Sequence, residues 1–227
     1  MLLIFSNRSD FTVDYVICRL LELGLPYFRI NSEEISTASY QLEYGKTGIN
    51  QRIKIAEREV CLEDITCIWY RRKPTPSTLS FIPDKERSFA FGELTHLIEG
   101  IFPDKLVRWV DYPLNVQRAE RKLQQLQAAV KLGIPIPNTL VSTDPRKLYE
   151  FAVSNPNGVI CKPIFRGLNV VGNYVESAYT RIVDTKELLN LPSEWTFPTL
   201  LQELIPKGSD LRITVVGDQY FGVEITT

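Results

Sequence analysis

One histidine in 227 residues, His96, leaves little for chemistry built on imidazole. It falls in GELTHLIEGIF, where Leu94, Leu97, Ile98 and Ile101 recur at helical spacing, so it reads as the flank of an apolar helix face. A histidine base or a histidine-ligated zinc is therefore not expected, and any reaction falls to Lys, Arg, Asp or Glu. The four cysteines, Cys18, Cys61, Cys67 and Cys161, stand singly in apolar segments with no C-x-x-C pair, which predicts reduced, buried thiols and no thiolate metal cluster. An excess of one charge is missing too. Lys+Arg 26 against Asp+Glu 27 give a net charge of -1, so no global field recruits nucleic acid or a membrane surface. No apolar run approaches the roughly 20 residues that span a bilayer, and the opening MLLIF lacks the length and basic flank of a secretion signal. The expectation is a cytoplasmic protein with no nucleic-acid and no membrane partner. Absent as well is the glycine fingerprint of dinucleotide folds, since the first strand is followed by SNRSD. GKT at Gly45 to Thr47 is a decoy: Tyr40 stands where a phosphate loop needs its first glycine, and no helix is expected after it.

What is present is a chain that is 44% apolar, enough for one large core or two small ones. LLIF reads as a buried strand. Ser9-Asp10 offers caps for a helix carrying Val13, Val16, Ile17, Leu20 and Leu21, Gly24 ends it, and PYFRI is a second strand, a β-α-β start in the doubly wound style. SYQLEY, RIKIA, EVCL and ITCIWY read as short antiparallel strands. Pro83 to Phe102 reads as a helix and LVRWV as a strand. The Asp111-Tyr112-Pro113 corner then divides a domain of residues 1–112 from one of residues 113–227. The second domain opens with a helix whose apolar face is Ala119, Leu123, Leu126 and Val130, with Lys122 off that face and Gly133 and Pro135 as stops. TLVST, a helix from Pro145 to Val153 and GVICKP make a strand-helix-strand unit. YTRIV, TLLQELI, LRITVVG and QYFGVEI follow as strands, with Gly217-Asp218 as a hairpin turn.

Three features fall in an order that a nucleotide cleft between two antiparallel lobes needs. Lys162 ends an apolar strand before a turn containing Gly167 and Gly172; a second strand ends QELIP; and Asp210 and Arg212 open a hairpin. A strand-tip ammonium gives phosphate oxygens three donors and a point charge, and glycines let a turn fold over them without a Cβ clash. The backbone of Glu203, Leu204 and Ile205 reads an adenine edge if the ladder lapses there, which Pro206 encourages because it has no donor. Asp210 suits ribose hydroxyls. Each has a plainer reading as well: Lys162 as a capped strand end, Glu203 and Asp210 as surface carboxylates, Arg212 as the partner of Asp210. Trp69-Tyr70-Arg71-Arg72-Lys73 sets three positive charges after two aromatics at a strand exit. That pattern is either a charged sheet edge or a carboxylate- or phosphate-binding corner, since arginine grips such groups through two parallel bonds.

RKLQQLQAAVKLGIPIPNTLVS, VICKPI and LLQELIPKGSDLRITVVGDQYFGVEI resemble the ATP-grasp ligases, in the branch shared with ribosomal-protein modification enzymes. SNRSDFTVDYVICRLLELGLPYFRIN, with ITCIWYRRKP and LVRWVDYP, is similar more narrowly to the peptide maturases of the microviridin and grasp-with-spasm systems. The resemblance covers nearly the whole chain, and WYRR and the late QE…DLR…VVGD are its most specific pieces. It implies an α/β protein of α+β lobes, a Rossmann-like pre-ATP-grasp domain followed by an incomplete ATP-grasp fold. It implies further that Lys122 and Lys162 hold ATP phosphates, that Glu203, Leu204 and Ile205 hold adenine, that Asp210 binds the ribose, and that Arg212 is catalytic, approaching the transferred phosphoryl group. Arg71 and Arg72 become substrate-binding residues. Arg121 precedes Lys122 where the family usually has a small polar residue, and a solvated helix lysine is the alternative there.

By the same resemblance the cofactors are ATP and Mg2+. The family's metal ligands come from strands after the last hairpin, so no metal ligand is expected before Thr227, Glu224 does not match the pattern, and the chain is expected to be an incomplete form. The implied partner is a ribosomally made precursor peptide, with a homodimer or a complementing C-terminal chain as further partners. The implied reaction activates a peptide Asp or Glu carboxylate as an acyl phosphate, which a Ser/Thr hydroxyl or Lys amine of the same peptide then closes to an ester or amide. Two alternatives stand beside it: a ligase for a small amino acid or protein terminus, and a non-catalytic module that binds a leader peptide or nucleotide.

Overall fold

The structure, a computed structural model, describes residues 1–226 apart from 47, 73, 75, 102–106, 166–167 and 172–173, with backbone alone for 76–77, 168–171 and 174–177. The chain divides into two compact units, Met1–Arg118 and Ala119–Thr227.

The first unit runs β1 (Leu2–Ser6), α1 (Phe11–Glu22), β2 (Tyr27–Asn31), α2 (Ser32–Ile35), β3 (Ser39–Gly45), β4 (Gly48–Ile55), β5 (Arg58–Cys61), β6 (Cys67–Tyr70), α3 (Asp84–Gly100), β7 (Arg108–Val110) and α4 (Pro113–Ala119). Its main sheet has the order β2-β1-β6-β7, parallel throughout, and β3-β4-β5 form a separate antiparallel sheet. This is the doubly wound start that the β-α-β pattern predicts. One strand departs from expectation: ITCIWY does not extend the antiparallel set, because β6 pairs in parallel with β1, Leu2 opposite Cys67 and Phe5 opposite Tyr70. Side chains alternate along β1. Leu3 and Phe5 join Ile30, Ile53, Val60, Ile68, Ile98 and Ile101 in one buried cluster that ties the parallel sheet to α3 and the antiparallel sheet.

Two local expectations also fail in this unit. Asp10 occupies the N-cap position of α1 but makes no side-chain cap bond, since its carboxylate is engaged elsewhere. Leu21 is 63% exposed rather than part of the helix's inward face, and Cys18 is exposed where a buried thiol was expected. The remaining three cysteines are partly buried, and all four are free thiols.

The second unit runs α5 (Lys122–Lys131), β8 (Thr139–Ser142), α6 (Pro145–Ser154), β9 (Val159–Lys162), β10 (Leu168–Val171), β11 (Tyr174–Ser177), β12 (Arg181–Val183), α7 (Thr185–Leu189), β13 (Thr199–Glu203), β14 (Ser209–Val216) and β15 (Gln219–Thr226). The single helix expected from Ala119 to Val130 is two, because Ala119 closes α4 and Lys122 opens α5. Within its unit α5 buries none of its residues. Gly133, with φ +69, lets the chain reverse after it. The central sheet has the order β12-β9-β13-β8 and is antiparallel throughout. Leu148 and Ala152 of α6 and Leu188 of α7 pack with Val159, Val183 and Leu201 on one face of it, and each large apolar side chain so buried stabilises the unit by about 1.5–3 kcal/mol. Alternation then assigns Ile160, Lys162 and Gln202 to the opposite face. The β14–β15 hairpin pairs from Ser209–Thr226 to Val216–Gln219.

Candidate functional site

The face of the central sheet opposite α6 and α7 carries a hydrogen-bonded polar row across three strands. Lys162 Nζ donates to Gln202 Oε1 at 2.6 Å, Gln202 Nε2 donates to Thr139 Oγ1 at 2.9 Å, and the Thr139 hydroxyl donates to the Pro137 carbonyl at 2.8 Å. Gln202 is buried, and the bonds fix its amide so that its oxygen meets the ammonium. Lys122, at the start of α5, reaches the turn after β9, donating to the Phe165 carbonyl at 3.2 Å and, at the limit of bonding distance, to Ile164 at 3.5 Å. Burial, then repulsion from Lys122 and Lys207, holds the Lys162 ammonium's pKa below its ordinary value. Lys122 and Lys162 therefore share the turn at the tip of β9, and Lys207 adds its repulsion. Among the described residues neither Lys122 nor Lys162 forms an ion pair, while Lys207 pairs with Asp210.

The segment expected at the adenine edge is partly spent on the sheet. The amide of Glu203 donates to the Asn138 carbonyl at 2.9 Å and that of Leu204 to Gly158 at 3.0 Å, so the release expected from Glu203 onward comes only at Ile205, directly before Pro206. The Glu203 carboxylate accepts from the Asn138 side chain at 3.0 Å and so anchors the strand end. Of the three amides only that of Ile205 has no backbone acceptor among the described residues. Asp210 and Arg212 lie two apart on β14 and are both exposed, but the carboxylate's partner is Lys207, not the arginine. Gly167 and Gly172 of the expected turn lie outside the described residues, as does Lys73 of the basic cluster.

In the first unit, Arg71 and Arg72 follow β6 directly. Their amides both donate to the Phe5 carbonyl, each at 3.0 Å. Asp10 Oδ2 accepts from Arg72 Nε at 3.1 Å and from the Ser6 hydroxyl at 3.3 Å, and lies 3.5 Å from Arg71 Nε. Burial would raise the Asp10 pKa, but Arg72, Arg71 and Ser6 together outweigh it and hold the carboxyl below its ordinary value.

A further feature has no counterpart in the sequence reading. A cavity of about 1050 Å3 in the second unit is walled by Phe165, Tyr179, Leu191, Trp195 and Phe197, with Lys162 also on its lining and an Arg181–Glu187 ion pair at 2.7 Å. Trp195 and Phe197 meet edge to face, centroids 6.2 Å apart. Cys161 lines it too, and burial, only partly offset by Arg181, raises its thiol pKa. Sequence reasoning missed this cavity because its aromatics stand singly in irregular segments. It missed Lys207 because nothing in QELIPKGSD marks that lysine as a neighbour of Lys162. It missed Gln202, although strand alternation puts that residue on the face opposite Leu201.

No metal-ligating group of three or more His, Cys, Asp or Glu side chains comes together among the described residues. The donor set present is cationic and suits phosphate oxygens; it does not suit Mg2+, which takes hard oxygen ligands. Among the described residues no helix is long and apolar enough to cross a membrane.

The family model described as the MvdD pre-ATP grasp domain matches residues 1–117. No curated protein matches the chain. Among solved structures, the macrocyclase MdnC of Microcystis aeruginosa MRC, bound with precursor peptide MdnA, is similar over 100% of this chain and 76% of its own, with 26% identity and a TM-score of 0.88. A RiPP-associated ATP-grasp ligase of Chryseobacterium gregarium, in complex with ADP and a leader and core peptide, is similar over 99% of this chain and 68% of its own, with 25% identity and a TM-score of 0.86. The macrocyclase MdnB of Microcystis aeruginosa MRC, at 21% identity and a TM-score of 0.73 over 100% of this chain and 75% of its own, shares the fold. With the family model covering more than half of its length and ATP-grasp ligases matching it nearly end to end, this chain belongs to the ATP-grasp peptide maturases that open with the MvdD pre-ATP-grasp domain.

Proposed function

We propose that the chain is the nucleotide- and peptide-binding part of an ATP-dependent ligase that modifies a ribosomally made precursor peptide. The observation that carries this reading is that Lys122 reaches across to the turn opened by Lys162 at the tip of β9, donating to the Phe165 carbonyl at 3.2 Å, in a chain of the peptide-maturase family. Lys122 and Lys162 hold the phosphates, Ile205 with the neighbouring Glu203 and Leu204 backbone receives adenine, and Asp210 takes the ribose once Lys207 turns from it to a phosphate. Arg212 neutralises charge on the transferred phosphoryl group. A carboxylate oxygen of the peptide attacks the γ-phosphorus and ADP leaves. A hydroxyl or amine of the same peptide then attacks the acyl carbon, loses its proton and expels phosphate. The protein contributes position and charge neutralisation, the larger part of such catalysis.

The peptide's apolar residues occupy the cavity of Trp195, Phe197 and Tyr179, and Arg71 and Arg72 hold one of its acidic side chains. Glu203, Leu204 and Ile205 do not line that cavity, whereas Lys162 does.

Calorimetric titration of the chain with ADP, and of the ADP-loaded chain with synthetic peptides that pair an apolar helix-forming stretch with a Thr- and Glu-rich stretch, tests the reading. Binding of both, with ADP binding lost on Lys162→Ala and Lys122→Ala, supports it. Peptide binding without any ADP binding supports instead the non-catalytic peptide-binding module and sinks the ligase reading.

A further inference from the structure

In the N-terminal sheet the chain leaves β1 toward β2 on one side and returns with β6 on the other, so the strand order reverses between β1 and β6. The crevice outside the carboxyl ends of the strands at such a reversal is where doubly wound sheets take ligands. Here Ser6 ends β1, Asp10 follows it, and Arg71 and Arg72 follow β6. The two arginine amides share the Phe5 carbonyl, which turns the β6 exit onto the end of β1.

The Asp10 side chain is 3% exposed, whereas those of Arg71 and Arg72 are 34% and 51% exposed. Asp10 is not spent on the helix it precedes, because it makes no side-chain cap bond. Both guanidiniums turn their Nε edge toward its Oδ2. A guanidinium has five N–H donors, so the terminal nitrogens remain for a ligand arriving from solvent. Among the described residues two guanidiniums and one carboxylate leave a single positive charge there. Arg8, at the same end of the sheet, lies 3.7 Å from Glu34, which Arg58 shares at 3.9 Å, and the Arg8 amide donates to the Glu33 carboxylate at 3.3 Å, so these two arginines and two glutamates add no net charge. One carboxylate balances that charge, and a phosphate dianion overshoots it.

We propose that Asp10 is a positioning and specificity-determining residue that aims Arg71 and Arg72 and cancels one of their charges, making the β1/β6 crevice a receptor for a single carboxylate rather than a phosphate. This rests on reading Arg71 and Arg72 as substrate ligands and adds to it what sets their preference.

The test uses the full chain labelled with 15N-arginine, following the Nε–H signals of Arg71 and Arg72. The probes are N-acetylglutamate N-methylamide, which carries one carboxylate, and inorganic phosphate at a pH where it is the dianion. The parent should bind the carboxylate probe more tightly. Asp10→Asn should shift the ratio of the two affinities toward phosphate by at least about tenfold, the size of one charge-assisted contact. Arg72→Gln keeps Asp10 with its Arg71 and Ser6 partners, so it remains informative if Asp10→Asn does not fold. With the net charge now zero it should lose both probes. An unchanged ratio in Asp10→Asn overturns the role of Asp10 alone, whereas carboxylate binding retained within a few-fold in Arg72→Gln overturns the charge balance and removes Arg72 from the ligands. If neither probe moves either signal in the parent, the assignment of the arginines as ligands falls, and this inference with it.

Discussion

Lys162 on β9 gives its ammonium to Gln202 on β13 at 2.6 Å, and among the described residues no other donor reaches that buried amide oxygen. The lysine at the strand tip is thus both a candidate phosphate ligand and the support of an interior polar group. Truncating it has two separable consequences. Lys162→Ala should lower stability by about 1–3 kcal/mol, the cost of an orphaned buried acceptor, and weaken ADP binding by at least about 1.5 kcal/mol. Adding Gln202→Leu should restore part of the stability and none of the affinity. Urea denaturation and calorimetric titration of both variants check this, and an unchanged ADP affinity returns Lys162 to a purely structural role.

The depressed Lys162 pKa has a signed consequence at alkaline pH. Burial, Lys122 and Lys207 place the folded value below the ordinary 10.5. In the window between the folded value and 10.5 the unfolded chain binds more protons, so this group makes stability rise with pH there. Phosphate oxygens stabilise the ammonium, so ADP binding in the same window should take up protons. Titrations in two buffers of different ionisation enthalpy read that uptake. It should vanish in Lys162→Met and shrink in Lys207→Gln, where one repulsion is gone; equal uptake in all three proteins would sink the three-lysine site.

Much of this was legible in the residues, and the losses have physical causes. The period of Val13, Val16, Ile17 and Leu20 and the apolar runs LLIF and PYFRI dictate the β-α-β start. The partner of CIWY is not local: that short apolar run has no alternation of its own, and only packing aligns it parallel to β1. The break between α4 and α5 carries no Gly or Pro, since QRAERKLQQ is helix-forming throughout. Arg71 and Arg72 announce themselves as a charge cluster, but Asp10 meets Arg72 across 62 positions of sequence. Lys162 is visible at its strand end. Gln202 meets it only after β13 has paired with β9.

Acid should expose the Asp10 contact. Its folded pKa lies below the ordinary 3.8, so its contribution to stability is present above that value and is lost as pH falls through the folded value. Thermal melts from neutral pH downward should show a steeper acid decline for the parent than for Asp10→Asn, which has no carboxyl to protonate. Parallel declines in the two proteins would mean that Arg71 and Arg72 do not hold the carboxylate in solution.

The aromatic cavity predicts a separation of peptide binding from nucleotide binding. Phe197 and Tyr179 line it, yet they are 68% and 80% exposed, so truncating them removes little buried surface and should leave the melting temperature nearly unchanged. Each presents an aromatic face that an apolar peptide side chain covers on docking, and such residues dominate binding energy where they become desolvated. Phe197→Ala combined with Tyr179→Ala should weaken an apolar precursor-type peptide by at least about 2 kcal/mol and leave ADP affinity nearly unchanged, because Lys162 is the one lysine of the three on the cavity lining and it keeps its Gln202 partner in the double variant. Fluorescence anisotropy of a labelled peptide, with ADP titrated in parallel, measures both. Undiminished peptide binding would move the docking surface away from this cavity, and a joint loss of peptide and ADP would mean that cavity and nucleotide site are one.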